Sequence, residues 1–421
     1  MESDRFICIR DVQQKSIIIV DVASRTLTTN RVNAESAIMN PISKVLALRA
    51  DTTLQIFNLE MRAKMKEHDM GEAVLFWKWI STNTVAIVTN SAVYHWSMEG
   101  QAAPKKIFDR HERLEGATII NYRVDNSQKW LMLIGLTRDE NGATKGVMQL
   151  YSVEKGITQP IEGHAAAFCD FKLSSDYTTT IICIAANTQQ GGKLFVMEVP
   201  GNKPPNAPVF QKRMVPVQFP AQNDFPVAMQ VSDKHGVIYM ITKTGFLYLF
   251  EVETATLIYK NRISAETIFV TAGHENTHGV IGINKTGQVL SVSVDENTIV
   301  PYIRDKLGDT ELAIKLASRA NLGVAGELFV TQFNNFLNQG NVEAAIKLAA
   351  ESPQDVLRTQ QTVQRLQRIP AQPNQKPPLS LYFQYIIDRG SLNQFESQEL
   401  SKIVLQRPGG ADYVKKLITE G

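Results

Sequence analysis

Apolar and polar positions alternate in short segments through the first three hundred residues, and turn residues separate these segments. This period of two is typical of β-strands. One segment repeats without a gap, because ITKTGFLYLFEVETATLI (241–258) aligns with INKTGQVLSVSVDENTIV (283–300). Both copies carry KTG between two apolar runs, and Gly245 and Gly287 suit the positive-φ position of a tight hairpin turn. The pattern predicts a repeated unit of antiparallel strands.

Weaker copies of this unit lie upstream, each marked by a residue that matches Phe250 and by an aliphatic residue two positions later. The seven marker positions are Val20, Phe57, Trp96, Tyr151, Met197, Phe250 and Val292. A propeller blade of four strands takes ~40–45 residues, which fits their spacing once insertions are allowed. The sequence therefore predicts an all-β, seven-bladed β-propeller over residues 1–300. The chain begins inside the first blade, so we expect the ring-closing strand to be missing.

Such a ring buries sheet faces that a single blade cannot bury alone, and it leaves grooves between blades that suit extended peptides. The character of the chain changes after about residue 300, and from Asp309 onward the period becomes helical, which predicts an α-helical zigzag, the start of an α-solenoid, over residues 301–421. Asp309 and Asn341 are expected to cap helices, and Ser352 with Pro353 to start one. Helical periodicity also covers 324–337, 359–368, 379–388 and 393–405.

Composition and charge exclude several classes of function. The net charge of the 421-residue chain is +2, which gives no general attraction for nucleic acids or membranes. No apolar run is long enough to span a bilayer, and the N-terminus lacks the apolar segment of a signal peptide. The three cysteines, Cys8, Cys169 and Cys183, fit no metal or redox spacing and are expected to be buried thiols.

One motif is typical of zinc enzymes. His274-Glu275-Asn276-Thr277-His278 spells H-E-x-x-H, which binds zinc when a helix brings both histidines to one face. The five residues lie between two predicted strands, so we favour a loop without metal over a zinc site. No phosphate-binding loop, nucleophile elbow or dinucleotide motif is present. We therefore predict a protein that is not an enzyme and needs no cofactor.

A run of alternating cations follows Phe57 and departs from the repeat. On a regular strand Arg62, Lys64 and Lys66 would share one face, with apolar residues on the other. Two interpretations stay open. The cations protect an exposed strand edge from pairing with other chains, or they form one end of a groove with the strand that contains Gln55 and Phe57. Such a groove would take a peptide with apolar side chains and an acidic end.

Eight stretches resemble the clathrin heavy-chain family, and they cover nearly the whole predicted propeller. They are SAIMNP (36–41), TLQIFNLEM (53–61), FWKWIS (76–81), AVYHWSMEG (92–100), QPIEGHAA (159–166), AQNDFPVAMQVS (221–232), NRISAETIFVTA (261–272) and NKTGQVLSV (284–292). The helical region is similar more loosely through LFVTQFNNFLNQGNVEAAIKLAA (328–350), and the likeness weakens after Leu405.

The resemblance implies a cytoplasmic coat protein on the cytosolic face of clathrin-coated pits and vesicles, acting in endocytosis and intracellular vesicle transport. The implied partners are adaptor and accessory proteins with clathrin-box peptides. Clathrin light chain and other heavy chains would bind through regions outside this chain. No nucleic acid is implied, and the membrane is reached only through adaptors. The alternative is another coat or scaffold subunit built from a propeller and a solenoid.

The resemblance also implies three peptide sites. The clathrin-box groove, between the first two blades, maps to Leu46, Thr53, Gln55, Phe57, Arg62 and Lys64. An arrestin-type groove between the fourth and fifth blades maps to Trp130, Leu150, Lys155, Ile157, Gln159 and Ile161. A third site maps to Thr118 and Ile120.

The chain departs from the family's usual residues at several of these positions. Arg62 stands where relatives usually have lysine, Lys155 replaces a common arginine, and Asn30 stands where an arginine is frequent. Thr118 replaces a glutamine, and the third site also uses a phenylalanine that would precede Met1.

Overall fold

A computed structural model describes residues 1–406 apart from 141, 174–176, 202, 206, 222, 372–375 and 391. The predicted helical residues 407–421 lie outside this part of the chain. The chain divides into two compact units, of which the first comprises Met1–Phe171 and Thr179–Val294 and the second comprises Lys172–Thr178 and Asp295–Gly421. Among the described residues the first unit is built from strands, and the second is built from helices after Asp295.

In the described residues of the first unit, 26 strands form seven sheets, and each sheet contains strands that are consecutive in sequence. Blade 1 contains β1 (Phe6–Asp11), β2 (Ser16–Asp21) and β3 (Thr26–Arg31), and blade 2 contains β4 (Ser36–Met39), β5 (Val45–Ala50), β6 (Thr53–Asn58) and β7 (Ala63–Asp69). Blade 3 contains β8 (Val74–Ser81), β9 (Thr84–Thr89), β10 (Ala92–Ser97) and β11 (Lys105–Asp109). Blade 4 contains β12 (Thr118–Val124), β13 (Trp130–Arg138), β14 (Thr144–Ser152) and β15 (Ile157–Glu162).

The last three blades complete the ring. Blade 5 contains β16 (Ala165–Lys172), β17 (Thr178–Thr188), β18 (Gly191–Glu198) and β19 (Arg213–Val217). Blade 6 contains β20 (Pro226–Ser232), β21 (Val237–Thr242), β22 (Phe246–Glu251) and β23 (Leu257–Arg262). Blade 7 contains β24 (Ile268–His274), β25 (Gly279–Asn284) and β26 (Val289–Val292). The seven marker positions fall on seven different blades, in β2, β6, β10, β14, β18, β22 and β26. The predicted seven-bladed propeller is confirmed.

Blades 1 and 7 each have three strands among the described residues, whereas the other blades have four. A hydrogen bond joins these two blades, because the Glu275 backbone N–H, at the end of β24, donates to Asp4 Oδ2 just before β1 at 2.9 Å. The ring is therefore held at its closing point by a side chain that lies outside any strand.

The core of the propeller lies between blades rather than inside one sheet. Leu54 and Ile56 of blade 2 form one buried cluster with Trp79, Val85 and Trp96 of blade 3. Similar clusters lie between blades 1 and 2, 3 and 4, and 4 and 5. Blades 2, 3 and 4 thus bury both of their faces against their neighbours, because an antiparallel sheet with apolar side chains on both faces needs cover on both.

The two repeat glycines occupy the turns predicted for them. Gly245 has φ of 81° and Gly287 has φ of 82°, in the left-handed region that side chains avoid. At Gly245 an added Cβ would also lie 2.1 Å from the Ser264 carbonyl oxygen, so this turn leaves no room for a side chain.

The second unit contains helices in its described residues, and none of these helices combines the length and the apolar character needed to cross a membrane. They are α1 (Ile299–Lys306), α2 (Thr310–Arg319), α3 (Gly326–Asn338), α4 (Val342–Ala350), α5 (Gln360–Gln367), α6 (Pro378–Arg389) and α7 (Gln394–Leu405). The predicted caps are confirmed at two of them, where Asp309 accepts from the Leu312 N–H at 2.9 Å and Asn341 from the Ala344 N–H at 3.2 Å.

Two local details of this unit differ from what the periodicity predicts. Ser352 and Pro353 do not start an α-helix; a three-residue 3-10 turn, Pro353–Asp355, follows Ser352, and Gln354 has φ of 49° inside it. The periodicity also missed α1, which contains Pro301. Proline is tolerated there because it lies in the first turn, where the backbone N–H has no partner within the helix.

A buried ionic network links the turn after α4 to the last two helices. Arg358 Nε donates to Glu396 Oε1 at 2.9 Å, and the Tyr382 hydroxyl donates to the same oxygen at 2.9 Å. The Glu396 carboxylate also accepts from the backbone N–H of Asn393, whose side chain accepts from the Glu396 N–H, which makes a capping box at α7. This carboxylate therefore holds three separate segments together.

Candidate peptide-binding grooves

A cavity of about 1010 Å³ lies between blades 1 and 2. Five of the six predicted clathrin-box residues line it, namely Leu46, Thr53, Gln55, Phe57 and Arg62. Pairing explains why they meet, since Leu46 lies opposite Phe57 across β5 and β6. Directly opposed residues share a face of the sheet, and so do residues two apart on one strand.

The blade 1 wall of this cavity has an apolar floor and a polar rim. Phe6 and Ile19 are buried in one cluster with Leu46 of blade 2. Towards solvent, Thr28 and Asn30 of β3 line the cavity, with Thr28 opposite Ile19. The cavity therefore opens from a shared apolar core onto hydrogen-bonding side chains, which is the composition expected of a ligand site.

The predicted stripe of three cations is wrong, because the strand is not regular there. The pairing of β6 with β7 shifts by one residue, so Phe57 lies opposite Lys64 while Ile56 lies opposite Lys66. This β-bulge at Met65 turns Lys64 and Lys66 to opposite faces of the sheet. Arg62 precedes β7 with φ of 53° and lies in the turn.

Lys66 consequently leaves the groove altogether. It is buried on the side of blade 3, where its Nζ donates to the Ser97 carbonyl at 2.7 Å and to the Glu99 carbonyl at 3.3 Å. Burial lowers the pKa of the Lys66 ammonium, which is the direction expected for a cation removed from water.

Lys64 stays on the groove side of the sheet, but it is paired within the chain. Its ammonium forms an ion pair with Glu67, and Gln55 Nε2 donates to the same carboxylate oxygen, Oε2, at 3.1 Å. The hydrogen bond from Lys64, the charge of Lys64 and the bond from Gln55 hold the pKa of the Glu67 carboxyl below its usual value. Sequence reasoning missed Glu67, since a regular strand would have placed it on the opposite face from Lys64.

The residues predicted for the arrestin-type groove also come together. Leu150 lies opposite Gln159 and Met148 opposite Ile161 across β14 and β15, which places both β15 side chains on the face towards blade 5. Trp130 packs against the same cluster, while Ile157 is 58% exposed. Lys155 lies in the turn that joins these two strands.

The two residues of the third site lie at the start of β12. Thr118 is exposed, and Ile120 sits at a bulge and packs against the apolar cluster between blades 4 and 5. Their side chains therefore differ in environment, although they are two residues apart.

In the H-E-x-x-H motif, His274 ends β24 and Glu275–Thr277 form a 3-10 turn before β25, so the motif lies between two strands as the loop interpretation expected. His274 Nδ1 lies 2.6 Å from Thr277 Oγ1, so one of its ring nitrogens is engaged in a hydrogen bond. No group of three or more His, Cys, Asp or Glu side chains suited to a metal occurs among the described residues.

Two of the three thiols are buried as expected, Cys169 and Cys183, whereas Cys8 is only partly buried. Burial raises the pKa of the Cys8 thiol to about 11, which keeps it protonated at neutral pH.

Three family models match the chain: "Clathrin propeller repeat" over residues 220–253 and 261–295, "Clathrin, heavy-chain linker" over 296–319, and "Clathrin-H-link" over 321–386. The chain is 52% identical over 426 residues to "Clathrin heavy chain 2" of Homo sapiens, 52% over 413 residues to "Clathrin heavy chain" of Drosophila melanogaster, and 44% over 428 residues to "Clathrin heavy chain" of Dictyostelium discoideum.

These alignments cover 100%, 96% and 100% of this chain, and 26%, 24% and 25% of the respective relatives. The chain thus spans about a quarter of the length of the relatives it matches. The identity extends through both compact units, and the matched models describe a propeller and a linker in the same order as the strands and helices observed. The chain therefore belongs to the clathrin heavy-chain family.

Proposed function

We propose that this chain is the peptide-docking part of a structural coat protein of clathrin-coated pits and vesicles. Family membership supports the coat role, and the cavity between blades 1 and 2 supports the docking role. In this proposal the chain works on the cytosolic face of the membrane, which it reaches through adaptor and accessory proteins. Clathrin light chain and other heavy chains would bind elsewhere on the full-length protein.

The single observation that carries the docking proposal is the composition of the blade 1–2 cavity. Its floor is apolar, with Ile19, Leu46 and Phe57, while Gln55 and Arg62 stand at its polar margin. An extended peptide presents alternate side chains to one surface, so apolar residues at every second position would enter the floor together. An acidic residue at the peptide's end would then face the cationic margin.

Apolar contacts should dominate the affinity of such a peptide. Burying one leucine-sized side chain contributes roughly 1.5–3 kcal/mol, whereas an exposed ion pair contributes about 0.2–1 kcal/mol. Two or three apolar contacts, less the cost of ordering a short peptide, give a dissociation constant on the order of micromolar. The charges would chiefly set the orientation of the peptide and its association rate.

The groove between blades 4 and 5 is a second docking site in the same proposal. Ile157 is exposed on the same face of the sheet as the partly buried Trp130, and Gln159 supplies a polar side chain on that face. A large apolar side chain left exposed next to an apolar seam is available to a ligand.

The docking proposal is tested by fluorescence anisotropy with a labelled peptide that carries three alternating apolar side chains and a terminal acid. Phe57→Ala should weaken binding by about tenfold, because the variant removes a wall of the cavity. Phe269→Ala is the matched control, since Phe269 is 64% exposed on blade 7, and it should leave the affinity unchanged. Equal affinity of wild type and both variants would show that this groove is not the site.

A further inference from the structure

A carboxylate of the chain itself, Glu67, lies opposite Gln55 of the cavity wall, just outside the residues that line the blade 1–2 cavity. Glu67 Oε2 accepts one hydrogen bond from Gln55 and one from Lys64, so each of these side chains directs one of its N–H donors at Glu67. We infer that Glu67 is a specificity-determining residue of this groove, which competes with the peptide's acid for Gln55 and Lys64 and leaves Arg62 to receive that acid. The inference rests on the proposed docking function.

The local geometry follows from the bulge at Met65. Lys64 and Glu67 are three residues apart, so a regular strand would place them on opposite faces. The extra residue brings both to the face of Gln55, which lies directly opposite Glu67. The contact between the cation, the amide and the carboxylate is thus built into the backbone pairing rather than left to flexible side chains.

Arg62 has a different position from Lys64. Arg62 lines the cavity and is exposed in the turn before β7, whereas Lys64 is absent from the lining among the described residues. A regular strand would place Arg62 and Lys64 in equivalent positions, but in this structure the two side chains have different surroundings. One is neutralised by Glu67, and the other faces the space that a peptide would fill.

The exchange of one carboxylate for another at Gln55 and Lys64 explains how Glu67 would affect the selectivity between acidic and neutral peptides. A peptide acid that takes Gln55 and Lys64 replaces one carboxylate by another, so few favourable contacts are gained. The displaced Glu67 then repels the incoming acid, because like charges in proximity disfavour each other. A peptide with a neutral hydrogen-bonding group at this point avoids that repulsion. The groove should accordingly discriminate less between acidic and neutral peptide ends than two free cations would.

The test compares two labelled peptides that differ only by glutamate or glutamine at the end, by fluorescence anisotropy with the full chain. Glu67→Gln should tighten the acidic peptide by about two- to fivefold, the range of one exposed ion pair, and leave the amide peptide unchanged. Glu60→Gln is the matched control, because Glu60 lines the same cavity and pairs with Lys44 at 3.8 Å. Glu60→Gln removes the same charge, and it should change the ratio of the affinities for the acidic and the amide peptide (the acid-to-amide ratio) less than Glu67→Gln does.

A double-mutant cycle separates competition from a general charge effect. In the wild type, Lys64→Ala should hardly change the affinity for the acidic peptide. In the Glu67→Gln variant, the same substitution should abolish the increase in affinity for the acidic peptide that Glu67→Gln produces. An unchanged or lowered acid-to-amide ratio in Glu67→Gln would overturn the inference, as would an equal rise in Glu60→Gln. The docking proposal fails separately, when Phe57→Ala does not weaken either peptide.

Discussion

Among the glutamate–cation pairs of the described residues, one pair in each compact unit can be compared, because the two lie in opposite environments. In the propeller, the side chains of Lys64 and Glu67 are 54% and 43% exposed. In the helical unit, those of Arg358 and Glu396 are 14% and 0% exposed. An exposed pair gives up little when it exchanges partners, whereas a buried pair leaves an uncompensated charge when one partner is lost. The first pair can therefore exchange partners at little cost, whereas the second contributes to the stability of the fold.

The pKa shifts of the two carboxyls agree with this contrast. Lys64 lowers the pKa of Glu67 by a hydrogen bond and by its charge. Burial alone would raise the pKa of Glu396, but hydrogen bonds from Arg358, the Asn393 N–H and Tyr382 outweigh burial and hold it below its usual value. In both carboxyls a hydrogen bond from a cation opposes desolvation, but desolvation is the largest single contribution to the pKa only at Glu396.

The largest expected effect comes from breaking the buried pair. Glu396→Ala should lower the free energy of unfolding of the helical unit by roughly 3–5 kcal/mol, because Arg358 stays buried without its partner. Urea denaturation followed by circular dichroism at the helical band measures this. Tryptophan fluorescence serves as the internal control, since all four tryptophans lie in the propeller. Glu67→Ala is the matched variant and should leave both transitions in place.

Acid should produce a smaller effect on the same network. The folded-state pKa of Glu396 is lowered, so its contribution to stability is complete above the unfolded value, about 4.3, and is lost as the pH falls through the folded value. The urea midpoint of the helical transition should therefore fall as the pH is lowered below about 4.5. In Glu396→Gln this pH dependence should be weaker. An identical dependence in both proteins would mean that other carboxyls dominate.

The smallest effect distinguishes Lys66 from Lys64. Lys66→Met should destabilise the propeller by about 1–3 kcal/mol, because two carbonyls of blade 3 lose a charged donor. Lys64→Met removes only an exposed pair and should leave the fluorescence-monitored urea midpoint unchanged. Equal effects of the two substitutions would favour the regular strand over the bulge.

The sequence predicted the elements that depend on local patterns. The repeat with KTG turns predicts the blades, because the register of a hairpin follows from its turn and from the alternation of apolar and polar residues along its strands. Asp309 and Asn341 were predictable as caps, since each side chain satisfies a backbone N–H of its own helix. Family resemblance supplied the residues of the three predicted sites, and for the first two sites several of these residues lie opposite one another on neighbouring strands.

What the sequence did not predict depends on packing between distant segments. A bulge at Met65 leaves no composition signal, because Lys66 is turned inward by carbonyls about thirty residues away in blade 3. The role of Glu67 follows from that bulge and was hidden with it. Helix α1 was missed for a local reason, namely the proline that breaks helices in other positions.

Because each apolar cluster belongs to two blades, a peptide side chain that enters the blade 1–2 seam becomes an added member of the core. Binding and folding are then linked by mass action, so that a ligand held at 100 times its dissociation constant stabilises the native ring by about 2.7 kcal/mol. Blade 1, with three strands among the described residues, should show that gain most clearly as slowed hydrogen exchange in β1, β2 and β3. A bound adaptor peptide would in this way stabilise the blade that it contacts for as long as it stays bound.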